Sequence, residues 1–312
     1  MKKLSFTNGV FLGGLLFLYL PMLILIIYSF NSSRLVTVWA GWSTKWYLAL
    51  LEDDQILGAI WMSLRIAFYS STMAVVLGTM AAFVMTRFNK FRGRTLFSGM
   101  ITAPLVMPDV IIGLSLLLLF VGMAQGFGWP AERGMLTIWI AHVTFSAAYA
   151  TVVISSRLRE VDRSVEEAAM DLGATPFKTF FIITVPAIAP ALAAGWLLSF
   201  TLSLDDLVIS SFVAGPGATT LPMVVFSSVR LGVSPKINAL ATLIIMAVSL
   251  AAFVTWYVLR RAEKRRLQQL RTDMEEVVEV PAYRPQPVIN PVKQRKQRVG
   301  SQEKEEVPES VT

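Results

Sequence analysis

The stretch from Gly9 to Phe30 reads GVFLGGLLFLYLPMLILIIYSF, twenty-two residues without a formal charge. As a helix rising 1.5 Å per residue it covers roughly 33 Å, enough to cross a hydrocarbon core about 30 Å thick. Backbone polar groups cannot go unpaired in lipid, so a spanning segment is either a helix or part of a closed barrel. The strict apolar and polar alternation of a barrel strand is absent here, so the stretch is read as a helix. Lys2 and Lys3 precede it in the manner of a secretory signal. The apolar run is longer than a usual signal core, however, and Ser29-Phe30-Asn31 offers no small-x-small cleavage site, so a retained anchor is expected.

Outward from this run the pattern recurs, at Leu57 to Met85, Gly99 to Gly122, Met135 to Ser156, Ala187 to Val213 and Ile237 to Leu259. The chain has 312 residues, 54% of them hydrophobic and 16% charged, with a mean hydropathy of +0.59. That is too apolar for an ordinary soluble domain. The expected fold is therefore an all-α integral membrane protein with six transmembrane helices. The absence of Cys excludes disulfides and thiolate chemistry, and a single His cannot assemble a metal cluster, so no metal site is expected. The net charge of +7 does not indicate nucleic acid, because the cations collect at span ends and in the tail without an interleaved aromatic face.

The distribution of those cations sets the orientation. Lys2 and Lys3, then Arg87, Lys90, Arg92 and Arg94, then Arg157, Arg159, Arg163 and Lys178, then Arg260 to Arg266 fall on one side, which predicts both termini in the cytoplasm. Trp39, Trp42, Trp46 and Tyr47 then belong at the outer interface. The transmembrane domain is assigned to residues 1–266. The tail, residues 267–312, turns rich in Pro, Glu, Lys and Gln, is too poor in large apolar residues to build a core, and is expected to be disordered.

Residues 157–186 form a cytoplasmic loop between the fourth and fifth spans that is longer than a usual helix connection. Ser164 with Glu167 has the form of a capping box, and Val165, Ala168, Ala169 and Leu172 give the first short helix an apolar side. Gly173 permits a turn, Thr175 and Pro176 restart a helix, and Pro186 is expected to close it before the next span. On these residues the loop resembles the EAA motif of ABC importer permeases. Glu167-Ala168-Ala169, Gly173, Ile183 and Val185-Pro186 match in register, with Val185 in place of Leu. Further stretches look like the polyamine branch of that family: Tyr19 to Pro21, Ser29 to Ser33, Thr102 to Asp109, Leu202 to Asp206 and Gly215 to Pro222.

The resemblance implies a type I ABC importer permease of the bacterial inner membrane whose loop, with Glu166, Glu167, Ala168, Ala169, Gly173, Ile183 and Pro186, docks on an ATP-binding cassette ATPase. It further implies ATP and Mg bound only by that partner, a second and non-identical permease subunit, and a periplasmic polyamine-binding protein, with putrescine as the expected cargo. The chain has no Gly-x-x-x-x-Gly-Lys-Ser/Thr loop of its own and no constellation for catalysis, so it is expected to be a transport subunit and not an enzyme.

Ionisable residues within spans are costly and point to function. Asp205 and Asp206 lie in the fifth apolar run, and Asp109 follows Pro108 early in the third, where a proline break can open the helix towards a cavity. A linear dication could meet these carboxylates, with Trp196 and Phe200 adding cation-π faces. Adjacent Asp205 and Asp206 would point about 100° apart on a helix, so one of them is expected to face the path. His142 is expected to be a hydrogen-bonded buried ring, and Arg65 to snorkel. The rival reading is an ion-coupled secondary transporter using Asp109, Asp205 or His142.

Overall fold

A computed structural model describes residues 6–278 except 36, 37, 89 and 233; Lys2, Lys3 and most of the tail, residues 279–312, lie outside the described residues. The chain is helical, and among the described residues the extended pairing is limited to one bridge between Asn31 and Trp42. In order, the helices are α1 (Phe6–Ser29), α2 (Lys45–Leu51), α3 (Asp54–Arg87), α4 (Arg94–Val106), α5 (Asp109–Phe127), α6 (Met135–Glu160) and α7 (Arg163–Asp171). They continue as α8 (Pro176–Thr179), a π-helical turn at Phe180–Thr184, α9 (Val185–Asp205), α10 (Val208–Val213), α11 (Leu221–Leu231) and α12 (Pro235–Val278). Among the described residues, six segments are long and apolar enough to cross a membrane: Phe6–Ser29, Asp54–Arg87, Asp109–Phe127, Met135–Glu160, Pro176–Asp205 and Pro235–Tyr257.

Several boundaries differ from those expected, each for a local reason. The third run, 99–122, is not one helix. Pro108 has no amide hydrogen to donate and biases Met107 to an extended conformation, so α4 stops at Val106 and α5 restarts at Asp109. Pro186 does not close the loop. The chain stays helical from Pro176 to Asp205, because the π turn lets the Val185 amide donate five residues back to the Phe180 carbonyl just before the proline. The fifth run, 187–213, is interrupted: Asp206 is extended (φ −66°, ψ 120°), which separates α9 from α10.

The first helix of the loop is capped by Asp162, whose side chain accepts from the Ser164 amide at 2.9 Å, and not by Ser164 with Glu167. α12 runs to Val278, beyond residue 267 where the tail was expected to begin, because Arg271, Met274 and Glu275 are ordinary helix formers.

The chain divides at Ile245 into two compact units. In the first, α3, α6 and α9 pack as a core of small residues, the arrangement that lets helices approach closely in lipid. A Cβ at Gly78 of α3 would fall 2.8 Å from Ala150 Cβ of α6, and one at Gly195 of α9 would meet the Ala150 backbone at 3.7 Å. Ile66, Ile138, Phe145, Ile209 and Val213 fill one buried cluster, and Ala82, Ala150, Ile154, Leu158 and Ile188 another. In α1 the one buried residue is Ser29, so its apolar length is offered outward. In the second unit, Arg260 lies 5.0 Å from the Trp256 ring centroid and Arg261 4.4 Å from that of Tyr257, an aromatic and basic boundary where the apolar part of α12 ends.

Candidate functional site

Two places bring the expected residues together. At the loop, the C-terminal end of α7 forms a Schellman motif. The Gly173 amide donates to Met170 at 2.9 Å and the Ala174 amide to Ala169 at 3.0 Å, with Gly173 left-handed at φ +88°. Thr175 then caps α8, accepting from the Lys178 amide at 3.3 Å, with Pro176 in the first turn. The Ser164 amide and then its hydroxyl hold the Asp162 carboxyl below its ordinary range.

Glu167 and Ala168 are exposed on this hairpin beside Val165, Met170, Leu172 and Phe177; Leu172 is 91% exposed. A protruding apolar surface edged by a carboxylate suits docking of a protein with a complementary basic and apolar groove. Glu166 faces the other way. It accepts from Arg87 at 2.7 Å and from the Thr184 hydroxyl at 2.8 Å, while Arg163 donates to the Thr86 carbonyl. Ile183 sits half-buried in the π turn and Pro186 is exposed on the continuing helix, so these two belong to the stem and not to the tip of the hairpin.

The second place is where the two interrupted helices meet. α10 packs on α5 so closely that a Cβ at Gly113 would lie 2.7 Å from the Phe212 ring and 3.3 Å from Ile209 Cα. Asp109, in the first turn of α5, and Asp205, last in α9, are both exposed and within electrostatic reach of one another. Asp206 is buried instead. Its carboxylate accepts from the Ile209 amide (3.2 Å), the Ser210 amide (2.7 Å), the Ser210 hydroxyl (2.7 Å) and His142 Nε2 (3.2 Å). His142 is the buried ring expected, 1% exposed, with Nδ1 2.6 Å from the Ser203 hydroxyl. Ser, His and Asp in contact have the composition of a hydrolytic triad, but Ser203 is buried on α9 against α3 and α6, where no substrate reaches it.

Trp196 and Phe200 stack with centroids 5.0 Å apart, away from the carboxylates. Nine residues separate Trp196 from Asp205, which puts them about 180° apart around α9. The aromatic pair lines a cavity of about 730 Å³ with Trp61, Phe68, Tyr69 and Arg65, whose guanidinium lies 4.6 Å from the Trp61 centroid. The expected path residues therefore fall into three groups: exposed Asp109 and Asp205, buried Asp206, and the aromatic pair beside a cation. Among the described residues no group of three or more His, Asp or Glu side chains could hold a metal.

A family model described as "Binding-protein-dependent transport system inner membrane component" matches residues 74–268, more than half of the chain. The chain belongs to that family. It is 67% identical over 262 residues to the putrescine transport system permease protein PotI of Escherichia coli K12, covering 84% of this chain and 93% of PotI. It is 43% identical over 230 residues to the spermidine/putrescine transport system permease protein PotC of the same strain, covering 74% and 84%. A crystal structure of a bacterial ABC transporter that imports the acidic polysaccharide alginate matches with TM-score 0.64 at 18% identity, over 80% of this chain and 94% of that one, a likeness of fold. The protein is thus a permease, an inner-membrane transport subunit of an ABC importer and not an enzyme. The ion-coupled secondary transporter has no support from its relatives.

Proposed function

We propose that this permease forms half of the path by which putrescine enters a bacterial cell, with both termini in the cytoplasm. A non-identical permease supplies the other half, and a periplasmic polyamine-binding protein delivers the cargo. ATP and Mg are held by cassette ATPase subunits docked on the α7–α8 hairpin, where Glu167, Ala168 and Ala169 meet the partner, Gly173 sets the bend, and Glu166, Ile183 and Pro186 join the hairpin to the spans.

The observation that carries the reading is the meeting of the broken helices, with the carboxylates of Asp109 and Asp205 exposed at the break. Interrupted helices are a recurrent device for an ion or substrate site in a membrane. The carbonyls ending α9 lie at the negative end of the helix dipole, and together with Asp205 they favour an ammonium group. Putrescine carries one at each end and so suits paired carboxylates. Trp196 and Phe200, on the opposite side of α9 from Asp205, line the separate cavity beside Arg65, where a cation is disfavoured, so the path is assigned to the carboxylate side.

The test is uptake of labelled putrescine by the complete transporter in proteoliposomes. Asp205→Asn and Asp109→Asn are expected each to raise KM roughly tenfold, as loss of a charge-assisted contact does. Uptake that needs no ATPase, or unchanged kinetics in both variants, overturns the reading.

A further inference from the structure

Nothing in the local sequence requires α9 to stop at Asp205. No Gly or Pro occurs between Gly195 and Ala214, and the apolar run there reads as one helix. The interruption is made by the Asp206 side chain, which caps α10 locally, and that buried carboxylate is held in turn by a tertiary contact. In a continuous helix the amides of Ile209 and Ser210 would donate to the carbonyls of Asp205 and Asp206, four residues back. Here the Asp206 carboxylate takes both amides, so those carbonyls are released from the helical ladder.

Such an exchange is stable only if the buried carboxylate is fully served, because an unpaired charge in a low-dielectric site is costly. His142 completes the set, and the donors order themselves along a chain. A carboxylate only accepts, so His142 presents Nε2–H to Asp206, and its Nδ1 lies 2.6 Å from the Ser203 hydroxyl. Ser203 in turn accepts from Ser70 at 3.1 Å, and Ser210 Oγ lies 3.0 Å from Nε2. α3, α6, α9 and α10 are tied together through one imidazole ring.

We propose that His142 is a positioning residue for transport: by holding the Asp206 carboxylate it maintains the break between α9 and α10, which presents the Asp205 side chain and its released carbonyl to the cargo. The inference rests on the reading of Asp205 as a path residue. His142 touches no cargo; it acts through Asp206 on the backbone at Asp205.

The experiment is a double-mutant cycle in KM for putrescine, using the complete transporter in proteoliposomes, with assembly checked by copurification of the ATPase. His142→Ala is expected to raise KM about tenfold, since it removes a hydrogen bond to a charged group, and His142→Gln, whose amide reaches the Nε2 position, to stay within about threefold of the native value. In the Asp205→Asn background His142→Ala is expected to add less than about twofold, because both changes then act on one contact.

If Asp205→Asn raises KM and His142→Ala multiplies KM equally in both backgrounds, or alters only the amount of assembled complex, the positioning role is overturned while the path reading stands. If His142→Gln is no better than His142→Ala, it is likewise overturned. If Asp205→Asn leaves KM unchanged, the path reading fails and takes the positioning role with it. Should His142→Ala not assemble, Asp206→Asn, which keeps the side-chain shape, replaces it in the same cycle.

Discussion

Arg87, the last residue of α3, and Glu166, in the first turn of α7, form an ion pair of 2.7 Å with side chains only 10% and 12% exposed. The same carboxylate oxygen accepts from Thr184 in the π turn, and Arg87 also donates to the Leu158 carbonyl near the end of α6 at 3.3 Å. One acidic residue of the hairpin thus fastens three of the spans, while its neighbour Glu167 is left exposed. Removing one partner of a buried pair leaves the other charge uncompensated. Glu166→Ala is expected to destabilise the subunit by about 3 kcal/mol. Glu166→Gln, which keeps an acceptor, is expected to destabilise it by about half of that. Thermal unfolding in detergent reads the difference, and equal effects of the two variants would refute the ion-pair account.

The bend at Gly173 is left-handed, a conformation in which a Cβ costs about 1 kcal/mol. No neighbour lies within 4 Å of a Cβ there, so the strain is purely that of the backbone. Gly173→Ala is expected to lower the unfolding free energy by about 1 kcal/mol and Gly173→Val by more. Both should reduce the ATPase recovered with the permease, because the docking surface is re-aimed. Full recovery with both variants would contradict that role for the bend.

Gly78, where α3 packs on α6, and Gly122, on an open face of α5, are opposite cases. A Cβ at Gly78 would lie 2.8 Å from Ala150 Cβ and 3.0 Å from the Thr151 amide nitrogen, whereas at Gly122 nothing lies within 4 Å. Gly78→Ala is expected to destabilise by about 1 to 3 kcal/mol through overpacking. Gly122→Ala should be neutral or slightly stabilising, as Ala is the better helix former. The comparison is a pair of melting curves, and similar shifts would show that the helices are not packed at Gly78 as described.

Asp53 caps α3 and pairs with Lys236 at 2.7 Å, with side chains 23% and 28% exposed. The Lys236 ammonium, then the Ile56 amide, hold its carboxyl below the ordinary value. A lowered folded value means that the contribution is present in full above the unfolded pKa of about 4 and is lost as pH falls through the folded value. Asp53→Asn, which retains the cap, is expected to flatten this part of the stability profile between about pH 5 and pH 2. Asp53→Ala should in addition lose about 1 kcal/mol at neutral pH. A profile for Asp53→Asn that still falls as steeply would rule out Asp53 as the titrating group.

The legibility of these features in the sequence follows their range. The apolar runs are composition, and the described residues hold six helical segments long and apolar enough to cross a membrane. The Schellman turn at Gly173 and the Thr175-Pro176 restart are local chemistry and read directly. The cap at Asp162 was obscured because Ser164 three residues before Glu167 satisfies the same spacing rule. The break at Asp206 carries only the weak local mark of a capping residue inside an apolar run, because the His142 contact that holds its carboxylate comes from another helix. The separation of Trp196 from Asp205, by contrast, is only helical arithmetic and needed no structure.

The π turn at Phe180–Thr184 takes up one surplus residue between the hairpin and the span it drives. Deleting a single residue there would return the segment to ordinary α geometry and rotate everything that follows by about 100°. Gly195, Ser199 and Ser203, one buried stripe on α9, would leave their seats against α3 and α6. An indel at this point therefore changes the phase of the machine and not merely its length, and homologues of different loop size can be expected to insert or delete on the hairpin side of Phe180.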